Sequence, residues 1–172
     1  NTVKELTQKV CNPWRIAIPV GKDSLSMKTI WQKDKKTNLS PQSLIISAFT
    51  KIKNVKKSIT PQLIDSNELL LVYLDLSKTK KRLGGSILSE VTQQTNLETP
   101  NLECIDEFPK IYNYLATKID KKKIFSFHDI SDGGLIVSAV EMMLAGGCGL
   151  NLDLSKISFL KESSNLFSEE LG

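Results

Sequence analysis

Residues 128–147 read HDISDGGLIVSAVEMMLAGG. The segment Leu135–Ala145 is rich in leucine, methionine and alanine, which predicts a helix. Gly146-Gly147 predicts the end of that helix, because glycine readily takes the left-handed conformation that follows a last turn. Lys123–His128 predicts a strand before it. Asp129–Gly134 is therefore predicted to be a tight connection that leads from a strand into a helix.

The residue types in this connection suit a phosphate and its counter-ion. Gly133 and Gly134 permit a positive φ and a close approach of the backbone. The start of the helix offers free N–H groups and the positive end of the helix dipole, which favour an anion. Asp129 and Asp132 add the hard oxygen ligands that Mg²⁺ prefers. The loop is a candidate Mg-nucleotide site, and ordinary helix capping by Ser131 or Asp132 is the alternative.

His128 is the only histidine in the sequence. Imidazole can act as a general base or bind a metal. No second histidine and no nearby cysteine accompany it, so a structural histidine at the end of a strand is the favoured interpretation.

A second polar loop, GKDSLS at residues 21–26, follows a predicted strand. Its Gly-Lys pair is similar to part of a P-loop, but that motif also requires a glycine at position 16 and Ser or Thr at position 23, and both are absent. A loop that contains Lys22, Ser24 and Ser26 can still hold a phosphate or a ribose. A plain connection between strands is the alternative.

Leu83–Ser86 reads LGGS, a weak signal that more often marks a turn followed by an N-cap. Ser86 is accordingly predicted to cap a helix that runs to about Gln93. No GxGxxG dinucleotide fingerprint is present. One histidine and three scattered cysteines, Cys11, Cys104 and Cys148, argue against a disulfide framework, a zinc site and a glutaminase triad within this chain.

The remaining periodicity predicts further elements of both kinds. Helices are predicted at 2–10 (ended by Asn12-Pro13) and 106–119, a helix start at 164–171, strands at 15–20, 28–32, 43–49, 69–76 and 149–154, and a turn at 33–38. The nearly continuous apolarity of Leu69–Leu76 predicts a strand covered on both faces. Together these elements predict an α+β fold with α/β-type layers. Composition changes in Lys51–Asn67, which predicts a domain boundary there.

Length and composition bound the class of protein. The chain has 172 residues, of which 40% are hydrophobic, enough for one domain or parts of two. Its net charge is +4, carried by 21 lysines and two arginines. The lysine clusters could mark a nucleic-acid-binding module, but such proteins rely on arginine, so solvated loops are the favoured interpretation. No apolar run approaches the roughly 20 residues of a membrane span, and no signal peptide opens the chain. We expect a segment of a longer cytoplasmic polypeptide.

An ordered series of motifs resembles the large, single-chain phosphoribosylformylglycinamidine synthases. The motifs are IPVGKDSLSMKT with Trp31 at 18–31, Ser40-Pro41, LIISAF at 44–49, TPQL at 60–63, RLGGS at 82–86, HDxSDGGL at 128–135, Glu141-Met142, GCGL at 147–150 and LFxEELG at 166–172. The resemblance covers almost the whole chain. A series of this length is highly specific.

The resemblance implies an ATP-dependent C–N ligase of purine biosynthesis with glutamine as amido donor. Such enzymes convert formylglycinamide ribonucleotide, ATP and glutamine to formylglycinamidine ribonucleotide, ADP, phosphate and glutamate. They contain two halves similar to aminoimidazole ribonucleotide synthetase, followed by a glutaminase domain. This chain resembles the second half, with residues 1–64 as the end of its N-terminal-type subdomain and 65–172 as most of its C-terminal-type subdomain.

The resemblance also implies roles for particular residues. Asp129 would be a Mg²⁺ ligand, and Ser131 with Gly133 and Gly134 would contact ATP or ADP. In the second half of these enzymes the nucleotide can be structural instead of catalytic. Substrate contacts would come from a loop comprising Gly21, Lys22, Asp23, Ser24 and Ser26. Ile130 stands where an arginine is expected, which removes any phosphate contact made by that arginine.

Other implied parts lie outside this chain, among them the upstream metal ligands, the glycine-rich ATP loop and the glutaminase cysteine. We therefore expect no activity from the chain alone and assign no catalytic residue within it. Its expected partners are the rest of the polypeptide and the ribonucleotide substrate, with no nucleic acid and no membrane. Apolar faces left uncovered predict self-association.

Overall fold

The computed structural model describes residues 2–22, 27–40, 43–95, 97–155, 157–158 and 162–172. It divides into two compact units, Asn1–Val55 and Lys56–Gly172. The boundary predicted between residues 64 and 65 stays a prediction.

The first unit begins with a helical stretch. Helix α1 (Thr2–Leu6) continues through a π-helical turn (Thr7–Cys11) into α2 (Asn12–Trp14). The predicted helix is confirmed, but its predicted stop at Asn12-Pro13 is wrong, because proline is tolerated in the first turn of a helix. The stretch ends at Arg15, whose left-handed backbone (φ 55°) turns its N–H toward Asn12 O at 3.3 Å.

A hairpin follows in the same unit. Strands β1 (Lys28–Trp31) and β2 (Lys36–Leu39) pair antiparallel, with Lys28 opposite Leu39 and Trp31 opposite Lys36. The strand predicted at 28–32 is confirmed. The connecting turn is shorter than predicted, because β2 already begins at Lys36.

In its described residues, the second unit is built on three α-helices, α3 (Ile87–Val91), α4 (Phe108–Asp120) and α5 (Gly134–Gly146). All three were predicted from the sequence. Ser86 caps α3 as expected, since its Oγ accepts the N–H of Ser89 at 3.2 Å. Single 3₁₀ turns lie at Val55–Lys57 and Ser163–Phe167. The helix predicted at 164–171 is thus one turn, after which the chain is irregular.

Five predicted strands are corrected. In the described part of the chain, the segments 15–20, 43–49, 69–76, 123–128 and 149–154 join no β-ladder. A strand needs a neighbour that pairs with successive backbone groups. Two of these segments make single backbone hydrogen bonds instead, from Leu76 N–H to Leu171 O at 3.1 Å and from Phe127 N–H to Thr60 O at 3.1 Å. The described fold therefore mixes helices with one small sheet.

The segment Leu69–Leu76 also lacks the predicted cover. Leu70 is 90% exposed and Val72 78%, whereas Leu76 is buried. The apolar sequence of this segment favours its burial, but it does not specify which other segment packs against it.

Among the described residues of the second unit, those that are buried are few and mostly polar. The buried apolar residues are Leu76, Ala139 and Met142. The buried polar residues are Ser77, Arg82, Ser86, Ser89, Ser138, Ser168 and Glu170. Buried polar groups require hydrogen-bond partners, so bonding between distant segments holds this interior together. None of the helices in the described part of the chain has the length and apolarity that a bilayer crossing requires.

Candidate functional site

The turn before α5 is the tight connection that the sequence predicts. Gly134 N–H donates to Ser131 O at 3.0 Å and closes the turn. From one turn into α5, the buried Ser138 Oγ donates to Asp129 O at 3.0 Å. The helix therefore holds both ends of the segment that carries Asp129 and Ser131.

Gly134 is required by space as well as by conformation. Its φ is +69°, and a Cβ at this position would lie 2.6 Å from the backbone carbon of Phe167 and 2.7 Å from Leu166 O. Such distances are far below van der Waals contact, so a side chain cannot be accommodated without a shift of the backbone. The glycine allows the start of α5 to pack directly against the turn at Ser163–Phe167.

His128 is held between two carboxylates. Its Nδ1 lies 3.2 Å from Asp129 Oδ1, its Nε2 lies 2.9 Å from Glu141 Oε2, and the ring is 15% exposed. A neutral imidazole donates through only one nitrogen, so the tautomer decides which contact is a hydrogen bond. Both ring nitrogens have acidic partners, which agrees with the structural interpretation of this residue.

The Asp129 carboxylate is open to solvent, with 74% of the side chain exposed. Ser131 and Asp132 are exposed beside it. The described residues contain no group of three or more His, Cys, Asp or Glu placed to hold a metal ion. Mg²⁺ commonly takes one or two carboxylates and completes its shell with water and substrate phosphate oxygens. This donor set therefore fits a Mg-phosphate unit better than a bare ion.

Two amides at the start of α5 are already engaged within the protein. Gly133 N–H donates to Glu169 Oε1 at 2.8 Å, and Gly134 N–H closes the turn on Ser131. The same Glu169 oxygen accepts the N–H of Ile87 at 2.8 Å. The nucleotide contacts predicted for the two glycines stay a prediction, and for Gly133 they would require its N–H to leave Glu169. In the sequence, Glu169 stands out only as a member of the LFxEELG motif, and no local signal indicates its role.

Beside Glu169 lies a buried ion pair that sequence reasoning also missed. Arg82 Nη2 donates to Glu170 Oε2 at 2.8 Å, and Arg82 Nη1 lies 2.9 Å from Glu103 Oε1. The hydrogen bond to Glu170 raises the pKa of Arg82, so the guanidinium stays charged. One signal could have revealed this pair, because Arg82 is one of only two arginines among 23 basic residues. A guanidinium can donate two parallel hydrogen bonds to one carboxylate, whereas the ammonium group of lysine acts as a point charge.

A second polar cluster surrounds Asp75 in the same unit. Its Oδ1 accepts hydrogen bonds from Ser77 Oγ at 2.6 Å and from Lys81 Nζ at 3.0 Å. Burial opposes ionisation of Asp75, but these bonds outweigh it and hold the pKa of the carboxyl below its usual value. Burial, followed by the nearby Asp75 charge, raises the pKa of Tyr73, so that phenol stays protonated.

Ile130, at the position where the resemblance leads us to expect arginine, lines a shallow cavity of about 320 Å³. The other lining residues are Pro100, Asn101, Leu102, Glu169 and Leu171. The aliphatic side chain of Ile130 gives this cavity an apolar wall and no donor for a phosphate. Its N–H is used inside the protein, where it donates to Gly172 O at 3.0 Å.

The loop predicted to contact substrate lies in the first unit. Gly21 and Lys22 are exposed and irregular. Asp23, Ser24 and Ser26 lie outside the described residues. The substrate-binding role of this loop stays a prediction.

Comparison with known protein families places the chain. Residues 67–172, more than half of it, match the model for AIR synthase related protein, C-terminal domain. The chain belongs to this family. Residues 1–51 match the FGAR-AT PurM_N-like domain. Together the two matches fit a fragment of phosphoribosylformylglycinamidine synthase with synthetase-like domains, which confirms the resemblance inferred from the motifs.

Proposed function

We propose that this chain is part of the second synthetase-like half of a phosphoribosylformylglycinamidine synthase. The enzyme would be an ATP-dependent C–N ligase that takes its nitrogen from glutamine. One observation carries the proposal: two matches to synthetase-like domains follow one another along a single chain, in the order N-terminal-type then C-terminal-type. The motif series that the sequence shows across both segments supports it.

Within this enzyme the turn before α5 would bind a Mg-nucleotide. Asp129 would hold Mg²⁺ through its exposed carboxylate, and Ser131 would contact the nucleotide. When bound, the metal supplies charge neutralisation for the phosphate groups. The protein's own contribution is to fix the ligand: Ser138 holds the backbone oxygen of Asp129 at 3.0 Å, so the carboxylate projects from an anchored point.

A structural nucleotide is the second candidate function. One observation favours it in this chain. His128, which could otherwise serve as a general base, has carboxylate partners at both ring nitrogens. This half would then hold ADP and Mg²⁺ for stability, and a nucleotide that neither exchanges nor hydrolyses would distinguish it from a catalytic site.

The proposed partners are the domains of the synthase that this chain does not contain. The chain would act with the rest of the same polypeptide, which would supply the first synthetase-like half, the glutaminase domain and the remaining ligands for formylglycinamide ribonucleotide. The chain alone would not turn over. A steady-state assay with all three substrates should show no product above a blank, and adding the missing domains in trans should restore product.

The nucleotide site can be tested by calorimetric titration of Mg-ADP and Mg-ATP into this chain. We expect binding in the wild type and its loss in Asp129→Asn, because the amide oxygen is a far weaker ligand for Mg²⁺ than a carboxylate. Asp106→Asn changes an exposed aspartate before α4 in the same way and should bind as the wild type does. Absence of heat with roughly millimolar nucleotide, or equal binding by both variants, would count against the site in this chain.

A further inference from the structure

One carboxylate oxygen joins the starts of two helices that are far apart in the sequence. Glu169 Oε1 accepts the N–H of Ile87, the first residue of α3, and the N–H of Gly133, just before α5, each at 2.8 Å. The first N–H groups of a helix have no partner within the helix. Gly133 has no side chain to cap α5 itself. Glu169 therefore acts as a shared cap supplied from a third segment.

The segment that carries Glu169 is itself anchored on both sides. Ser168, 4% exposed, donates through Oγ to Arg82 O at 3.0 Å. Glu170, 1% exposed, is ion-paired with the guanidinium of the same Arg82. Because both neighbours are fixed to one residue, the backbone under Glu169 has little freedom. Its carboxylate is held where the two amides meet.

This anchored carboxylate is connected to the candidate nucleotide site indirectly, through the backbone of the turn that precedes α5. Gly133 lies two residues after Ser131, and Gly134 N–H closes the turn on Ser131 O at 3.0 Å. A fixed Gly133 amide therefore restricts the backbone conformation of the turn and, with it, the position of Ser131. Glu169 is not part of the predicted ligand set, and its action on a nucleotide would pass through this turn.

We propose that Glu169 is a positioning residue for the Asp129–Ser131 turn, coupling it to the Leu83–Ser86 loop at the start of α3. The inference rests on the proposed nucleotide site. A shared acceptor restricts both loops at once, so releasing it should loosen both together. While Glu169 accepts the Gly133 N–H, that group is not available to a phosphate.

The test uses the whole 172-residue chain with Glu169→Ala and Glu169→Gln. Mg-ADP affinity is measured by calorimetry, and amide hydrogen exchange is measured at Ile87 and Gly133. Residues that orient a metal ligand typically change affinity by about 10- to 100-fold, so we expect Glu169→Ala to weaken Mg-ADP binding by about tenfold. Exchange at both amides should accelerate together. Glu169→Gln keeps an acceptor oxygen and should restore affinity to within about threefold of wild type and slow exchange at both amides.

Two control variants separate positioning from general stability. Glu107→Gln makes the same chemical change at an exposed glutamate and should alter neither measurement. Met142→Ala removes a buried side chain of α5 and should lower the melting temperature while leaving Mg-ADP affinity unchanged well below it. Loss of affinity in proportion to stability across all variants would overturn the proposal.

The remaining outcomes are also distinguishable. Wild-type affinity and unchanged exchange in Glu169→Ala would overturn the positioning role while leaving the nucleotide site intact. A wild-type chain that binds no Mg-ADP would overturn the proposed site. In that case the exchange data alone decide the coupling of the two loops: faster exchange at Ile87 and Gly133 in Glu169→Ala supports it, and unchanged exchange overturns it.

Discussion

Arg82 and Glu170 face one another as a buried bidentate pair, with Nη2 2.8 Å from Oε2 and side chains 8% and 1% exposed. Taking two charges out of water is costly, and only close, well-directed hydrogen bonds offset that cost. The net stabilisation from such a pair is small. The loss of one partner is a different matter, because the other charge is left buried.

The first prediction concerns this pair. Glu170→Gln should lower the free energy of unfolding by about 3 kcal/mol, the low end of the range for a broken buried pair, since Glu103 still lies 2.9 Å from Arg82 Nη1. Urea unfolding followed by circular dichroism measures the change. Glu98→Gln is the matched control: Glu98 is 74% exposed and 3.7 Å from the same guanidinium, so its loss should cost about 0.5 kcal/mol or less. Equal losses in the two variants would show that burial does not set the strength of these contacts.

The second prediction concerns pH. Since the pKa of Asp75 is lowered in the folded state, its stabilising effect is complete above the unfolded pKa, near 4, and is lost as the pH falls through the folded value. The stability difference between wild type and Asp75→Asn should therefore shrink on acidification. Urea midpoints measured across this pH range test it. Asp65→Asn, at an exposed position, should keep the acid dependence of the wild type. A stability difference between wild type and Asp75→Asn that widens toward low pH would contradict the lowered pKa of Asp75.

The third prediction compares two glycines with similar backbone conformations. Gly134 (φ +69°) and Gly147 (φ +64°) both disfavour a side chain, but a Cβ would meet neighbouring backbone only at Gly134. Gly147→Ala should cost about 1–2 kcal/mol through conformation alone. Gly134→Ala should cost roughly 1–3 kcal/mol more through crowding. Thermal and urea unfolding measure both, and equal costs would mean that the turn at Ser163–Phe167 moves freely away from α5.

The fourth prediction concerns association. Leu70 and Val72 lie two positions apart and are both largely exposed. A surface of this kind favours self-association, which Val72→Lys should weaken. Sedimentation velocity over a roughly hundredfold concentration range measures it. Val91→Lys, at a valine of α3 that is 74% exposed, introduces the same charge elsewhere. A wild type that stays monomeric throughout would refute the prediction.

Local interactions were predictable from the sequence, and distant ones were not. The apolar pattern of α5, the cap at Ser86 and the glycine that ends α5 each depend on neighbours within a few residues. The turn at Asp129–Gly134 was found for the same reason. The strand predicted at 69–76 was wrong because its pairing depends on residues far along the chain, as the bond from Leu76 to Leu171 shows.

The role of Glu169 was missed on the same physical ground. Its two partners, Ile87 and Gly133, lie 82 and 36 positions away. No periodicity or spacing rule reaches across such distances. The one local sign was Arg82, a rare arginine in a lysine-rich chain, which indicated a bidentate contact with a carboxylate in this region.

The separation of Arg82 from Glu170, 88 positions, also bears on how this unit is made. Arg82 is synthesised long before Glu170. The entropic cost of closing the loop between them must be met before the pair forms, which slows folding. Until residues 168–170 emerge, the nascent chain lacks both the Glu170 carboxylate that pairs with this guanidinium and the shared acceptor for its two helix starts. The second unit should therefore remain open during most of its translation and consolidate late, so that a pause or truncation shortly before Ser168 would leave a chain dependent on chaperones.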